Sequence, residues 1–113
     1  MGDFATRQTG SCVTVIQPKG RLNMAGASSL RKQLQGIVDS GSNRIVVDLS
    51  TTEFIDSSGL GALISGLKMA RQAGGDLRIA AAPQEVCTVL ELTNLNRVLP
   101  TYDSADAAFD DCD

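Results

Sequence analysis

The sequence has 113 residues, 42% of them hydrophobic and 20% charged, a composition that predicts one folded domain spanning residues 1–113. Its net charge of −3 and its scattered Lys and Arg residues argue against a nucleic-acid partner, because phosphate backbones require clustered positive charge. No apolar run reaches the roughly 18 residues of a membrane span, and residues 1–9 contain no signal-peptide hydrophobic stretch. We therefore expect a cytoplasmic protein that does not associate with membranes.

The residues that build metal and redox sites are scarce. Three cysteines, Cys12, Cys87 and Cys112, lie far apart and form no C-x-x-C pair, and the chain contains no histidine. Cys12 falls in a strand pattern and Cys87 in a helix pattern, where a thiol is usually a small hydrophobic group. We expect neither a metal site nor a cofactor.

Strands and helices alternate along the chain in the pattern of apolar residues. In order, the predicted elements are strands over 4–8 and 11–17, a helix over 25–39, a strand over 44–49, a helix that ends at Gly74-Gly75, a strand over 77–81, a helix with Pro83 in its first turn, a short strand at Val98-Leu99 and a final helix from Ser104. Alternation of this kind implies parallel strands joined by right-handed crossovers. The sequence therefore predicts an α/β domain whose sheet packs against helices.

The segment from Glu53 to Gly61 follows a predicted buried strand and opens a helix, a place where α/β sheets expose functional groups. Asp56 suits an N-cap, which would put Ser57 and Ser58 in the first turn. A phosphate is tolerated there, because free N–H groups and the helix dipole favour negative charge. The same residues are also compatible with an ordinary helix start that has no further role.

Enzymatic interpretations of this segment are weak. Gly59-x-Gly61 is not a dinucleotide-binding motif, because Ile64 stands at the third glycine position. A hydrolase nucleophile elbow would need G-x-S-x-G and a histidine. Acid–base catalysis by Asp48 with Asp56 stays open, although no spacing singles the pair out. We expect no catalysis. Glycines early in a helix indicate that something approaches its backbone closely, either a neighbouring element or a partner.

The segment IVVDLSTTEFIDSSGLGALISGLKMARQAGGDLRIA resembles the central portion of STAS domains, above all stand-alone bacterial anti-sigma-factor antagonists. The block DSSGLG, the Gly-Gly turn and the earlier GRLN occur in the family's order. The similarity runs from about Cys12 to Phe109. It implies a single domain with a mostly parallel, four- to five-stranded sheet and about four helices packed mainly on one face.

The resemblance also implies a partner-switching cycle. The family's phosphoserine directly follows the motif Asp, which makes Ser57 the expected site and Ser58 a minor alternative. The unphosphorylated protein would bind an anti-sigma factor that is also a serine kinase of the GHKL ATPase type, and phosphorylation would release it. A metal-dependent serine phosphatase would reset the cycle. The expected partner-binding residues form two loops: Gly20, Arg21, Leu22 and Asn23, and Asp56, Ser57, Ser58, Gly59, Leu60 and Gly61.

One residue departs from the family pattern, since Asn23 stands where Asp is usual after Gly-x-Leu. Asn23 either shapes the partner surface without adding charge beside Ser57 or is a simple turn or N-cap residue. Lys68 and Arg71 are expected to be solvated or to steer an acidic partner surface. An alternative function with the same fold is an accessory docking subunit of a transport system or of another signalling complex.

Overall fold

The structure is a computed structural model that describes residues 4–9, 13–42, 44–99 and 101–102. Its elements are β1 (Ala5–Thr9), β2 (Val13–Gln17), β3 (Gly20–Leu22), α1 (Met24–Asp39), β4 (Arg44–Asp48), β5 (Thr52–Ile55), α2 (Ser57–Gln72), β6 (Asp76–Ala80), α3 (Gln84–Leu92), a 3₁₀ turn (Leu95–Arg97) and β7 (Thr101–Tyr102). None of the helices described is long and apolar enough to cross a membrane.

The main sheet has five strands in the order β1-β2-β4-β6-β7. Only β1 runs antiparallel to its neighbour, with Arg7 opposite Val15, whereas β2, β4, β6 and β7 pair in parallel. The predicted α/β class and mostly parallel sheet are therefore confirmed. The described part of the chain contains three α-helices where about four were expected, and the helix predicted from Ser104 lies outside it, as do Cys12 and Cys112.

Alternating strand residues separate the two faces of the sheet, as the period of two requires. One set joins the apolar stripes of all three helices in the main core: Ile16, Ile45, Val47, Leu77 and Ile79 pack with Leu30, Leu34, Leu63, Leu67, Val86 and Leu90. A second, smaller cluster of Val13, Val15, Val46 and Ala80 contacts Tyr102. The three helices thus pack on one face of the sheet, as predicted.

A second sheet of two short parallel strands, β3 and β5, was not predicted from the sequence. Gly20 lies opposite Thr52 and Leu22 opposite Ile55, with an irregular register after Gly20, whose φ is +80°. The backbone carbonyl of Pro18 accepts hydrogen bonds at 3.0 Å from the hydroxyls of Thr51 and Thr52. This pair of strands matters because it sets the ends of two otherwise distant segments side by side.

Two boundaries differ from prediction near the end of the described chain. The prediction of a strand at Val98-Leu99 is wrong, because Val98 ends the 3₁₀ turn and Leu99 is fully buried in the main core. The strand follows at Thr101–Tyr102, paired with Ile79 and Ala80. Pro83 is the N-cap of α3 and does not occupy its first turn, because its extended backbone precedes the first helical residue.

Candidate functional site

Two strand-to-helix junctions lie side by side at the carboxyl ends of β3 and β5. Because Leu22 pairs with Ile55, the residues that follow them, Asn23 and Asp56, begin neighbouring helices. The Asp56 N–H donates to the Leu22 carbonyl at 3.4 Å. The two loops that the sequence singled out are therefore adjacent in the fold.

Asp56 is the N-cap of α2, as predicted. Its Oδ1 accepts from the Gly59 N–H at 3.0 Å, and its carbonyl accepts from the Leu60 N–H at 3.0 Å. The side-chain bond satisfies one of the four N–H groups that a helix start leaves unpaired, and the carbonyl bond is the first hydrogen bond of the helix. Ser57 is the first residue of α2 and is exposed, whereas Ser58 is half-buried.

Asn23 caps α1 in the same way. Its Oδ1 accepts from the Gly26 N–H at 3.2 Å, and its carbonyl accepts from the Ala27 N–H at 2.7 Å. The N-cap interpretation of Asn23 is confirmed, because an amide oxygen caps a helix as well as a carboxylate does. Each junction thus has an apolar strand residue, an Asx cap and a glycine at the third helical position.

The glycines at these junctions differ in what surrounds them. A Cβ on Gly59 would lie 2.6 Å from the Leu22 carbonyl oxygen and 2.7 Å from Ile55 Cγ1. The close approach that the sequence indicated at Gly59 is therefore made by the protein's own strand. A Cβ on Gly61 would meet only Arg31 Nη2, at 3.8 Å, which is an ordinary contact.

The predicted partner-binding residues fall into two groups by exposure. Leu22, Gly59 and Leu60 are buried and shape the junction from beneath. The others carry exposed or half-exposed atoms: Gly20, Arg21, Asn23, Asp56, Ser57, Ser58 and Gly61. This side of the fold therefore presents mainly polar groups of the two loops around Ser57.

Two exposed apolar residues beside these loops were missed from the sequence. Met24, the first residue of α1, is 76% exposed, and Phe54, opposite Arg21 in the β3–β5 pair, is 47% exposed. Large apolar side chains left in solvent next to a loop are typical of protein contact surfaces. The available signal was their position in the sequence: Met24 directly follows GRLN, and Phe54 lies two residues before DSSGLG.

Three charged residues that the sequence singled out lie outside the two loops. Asp48, which the sequence left open as a catalytic partner of Asp56, accepts from the Ser50 N–H at 2.9 Å and so holds a turn. Arg71 forms an exposed ion pair with Asp76, with 3.4 Å between Nε and Oδ1, whereas Lys68 is exposed. Within the described ranges, no group of three His, Cys, Asp or Glu side chains is arranged to hold a metal ion.

The chain is similar to known proteins in both sequence and structure. A family model described as STAS domain matches residues 3–108. A "Putative anti-sigma factor antagonist" of Thermotoga maritima is 32% identical over 100 residues, which cover 88% of each chain. A crystal structure under the same name and from the same organism has a TM-score of 0.88 at 30% identity, covering 96% of this chain and 92% of that one.

A more distant likeness concerns the fold alone. The Bacillus cell fate determinant SpoIIAA in its phosphorylated form has a TM-score of 0.75 at 17% identity, covering 97% of this chain and 99% of that chain. The arrangement of strands and helices is therefore retained where most side chains differ.

Proposed function

The chain belongs to the STAS domain family, and we propose that it is an anti-sigma factor antagonist that acts by partner switching. In this proposal the unphosphorylated protein binds an anti-sigma factor, and phosphorylation of Ser57 releases it. The observation that carries the proposal is the exposed Ser57 hydroxyl position at the start of α2, beside the exposed Met24 and Phe54. The name of the T. maritima relative favours this role over the docking subunit that the sequence left open.

The chemistry of the first helical turn supports Ser57 as the modified residue. A phosphate brings about −1.5 to −2 charges, and a helix N-terminus tolerates added negative charge. Asp56 already accepts the Gly59 N–H, so the helix start does not need the phosphate for its own stability. Modification would therefore change the surface and leave the fold in place. Ser58 is the less accessible alternative because it is half-buried.

The exposed residues around Ser57 suggest how a phosphate would end binding. Met24 and Phe54 supply apolar contact area, and Arg21 and Asn23 supply polar groups at its edge. A phosphate placed in such an interface loses its hydration as the partner docks, which is costly when no opposing cation receives it. Release of the partner follows from this cost without any conformational change in the antagonist.

The other members of the cycle are part of the proposal. The partner is an anti-sigma factor that is also a serine kinase of the GHKL ATPase type, which phosphorylates the antagonist it binds. A metal-dependent serine phosphatase restores the unmodified form. The antagonist is the substrate of both enzymes and contributes no catalytic group of its own.

The test is phosphopeptide mapping of the protein isolated from its native cells under several growth conditions. Wild type is compared with Ser57→Ala and with the matched control Ser58→Ala, which removes the neighbouring hydroxyl. The proposal expects a phosphate that disappears in Ser57→Ala and remains in Ser58→Ala, together with constitutive capture of one ATP-binding partner by Ser57→Ala. A phosphate on another residue, or the same partner capture by wild type in every condition, would refute it.

A further inference from the structure

An arginine lies across the surface between the two helices that flank the site. Arg31, on the exposed side of α1, reaches over Gly61 of α2, and its Nη2 is 3.8 Å from the position that a Cβ of Gly61 would take. Among the residues that the structure describes, no acidic side chain forms an ion pair with Arg31. Within the described ranges, no acidic side chain therefore competes with a phosphate for this guanidinium.

The Gly61 position that Arg31 reaches is one helical turn from Ser57. In an α-helix each Cα–Cβ bond points toward the N-terminus, so a residue covers the turn that precedes it. Ser57 precedes Gly61 by four residues, and Cβ positions at that spacing are about 6 Å apart. The guanidinium therefore lies at contact distance from the Gly61 position, one helical turn from Ser57 on the same stripe of α2.

We propose that Arg31 binds the phosphate of phosphorylated Ser57 across Gly61. This inference rests on the proposed function, because it concerns the modified form of Ser57. A guanidinium presents a planar set of N–H donors that matches phosphate oxygens and can engage two of them at once. Gly61 contributes no side chain to the space between the two groups, and even a Cβ at that position would lie 3.8 Å from Arg31 Nη2.

The nearby charges explain why such a residue is needed. Asp56 already takes the Gly59 N–H, so one of the donors that a helix start offers to an anion is occupied. Asp56 and the exposed Glu53 also add negative charge close to Ser57. Arg31 is a cation that the described structure places one helical turn from Ser57, at Gly61, and it would offset part of the repulsion that a phosphate would meet.

The contact also fixes where the phosphate would lie. Met24, Ser28 and Arg31 are exposed and follow one another at i, i+4 and i+7, which places them on one stripe of α1. A phosphate held by Arg31 therefore stays on the same surface as the exposed Met24. The hydrated ion pair would then block apolar docking at Met24 more effectively than a freely moving phosphate.

The experiment uses full-length protein with phosphoserine incorporated at position 57 during synthesis, so that no kinase is required. The second pKa of the phosphate, about 6 when unperturbed, is measured by ³¹P NMR titration in wild type, Arg31→Gln and Lys32→Gln. Lys32→Gln is the matched control, because it removes the same charge from the same helix on the side that faces Thr6.

We expect Arg31→Gln to raise the phosphate pKa by about 0.3 to 0.7 unit, the size of an exposed ion pair, and Lys32→Gln to shift it by less than about 0.1 unit because that charge is screened. Equal shifts in both variants, or none in either, would overturn the inference. The proposed function fails separately, if wild type carrying the phosphoserine still binds the partner that the unmodified protein binds.

Discussion

Replacing Gly59 with alanine places a methyl group in a site that the protein has filled with its own backbone. The new Cβ would lie 2.6 Å from the Leu22 carbonyl oxygen and 2.7 Å from Ile55 Cγ1. Both distances are shorter than a Cβ normally keeps from a nonbonded atom. The Leu22 carbonyl cannot move freely, because it also accepts the Asp56 N–H and belongs to the β3–β5 pair. Either the strand pair or the start of α2 must shift.

The expected magnitude is the difference between two opposing terms. Alanine is favoured over glycine within a helix by about 1 kcal/mol, whereas forcing a methyl group into a packed site costs about 1–3 kcal/mol. Two contacts below 3.0 Å place Gly59→Ala toward the upper end of that cost. We expect a net loss of about 1–2 kcal/mol in the free energy of unfolding, which lowers Tm by about 4–8 °C in a domain of this size.

Gly61→Ala is the matched control, since it makes the same chemical change two residues later in the same helix. Its Cβ would make only one ordinary contact, at 3.8 Å from Arg31 Nη2. The helix-propensity gain is therefore not opposed, and we expect a stabilisation of about 0.5–1 kcal/mol.

Urea unfolding followed by circular dichroism measures both variants. With a urea dependence of about 2 kcal/mol per molar, the unfolding midpoints of the two variants should differ by about 1 M. If Gly59→Ala is as stable as Gly61→Ala, then the contact with the Leu22 carbonyl does not constrain the junction.

Three further predictions concern the caps and the exposed surface. Asp56→Ala should cost about 0.5–2 kcal/mol in unfolding free energy through loss of the cap on α2; thermal unfolding checks this, and unchanged stability would contradict the capping role. Asn23→Asp should keep the cap on α1 intact while altering the phosphorylation rate of Ser57 or partner affinity, and unchanged kinetics and affinity would exclude a role for Asn23 in the switch. Met24→Ser and Phe54→Ser should each weaken partner binding about tenfold or more. Met24→Ser should change stability by no more than about 0.5 kcal/mol because Met24 is exposed, whereas Phe54→Ser should cost about 1–2 kcal/mol because Phe54 is half-buried. Calorimetric titration with the captured partner showing unchanged affinity would remove them from the interface.

The sequence predicted the helices well because the evidence for each of them is local. The Asp56 cap and the apolar stripe from Leu60 to Ala70 lie within one segment, and both appear in the structure as expected. The same holds for the stop at Gly74, whose φ is +90°. These features depend on the chemistry and spacing of residues that are close together in the sequence.

The elements that escaped prediction depend on long-range contacts. The strands β3 and β5 contain three and four residues and exist because they pair across about thirty positions of sequence. Leu99 was wrongly assigned to a strand for a similar reason. Its apolar character predicts burial but does not distinguish a strand residue from one that follows a 3₁₀ turn. The exposure of Met24 and Phe54 was equally invisible, because apolar residues are expected inside.

The two junctions separate what maintains the fold from what is free to carry a signal. In each, a buried strand residue, an Asx cap and a glycine make internal contacts that leave no space for a larger side chain at the glycine. At Gly59, for example, an added Cβ would lie 2.6 Å from the Leu22 carbonyl oxygen. The first helical positions, Met24 and Ser57, lie above these contacts and take no part in them. A modification at such a position can alter binding by the full cost of burying its charge while the supporting junction keeps its geometry. A surface switch at Ser57 is therefore compatible with a rigid domain, and the proposed cycle requires no second conformation of the chain.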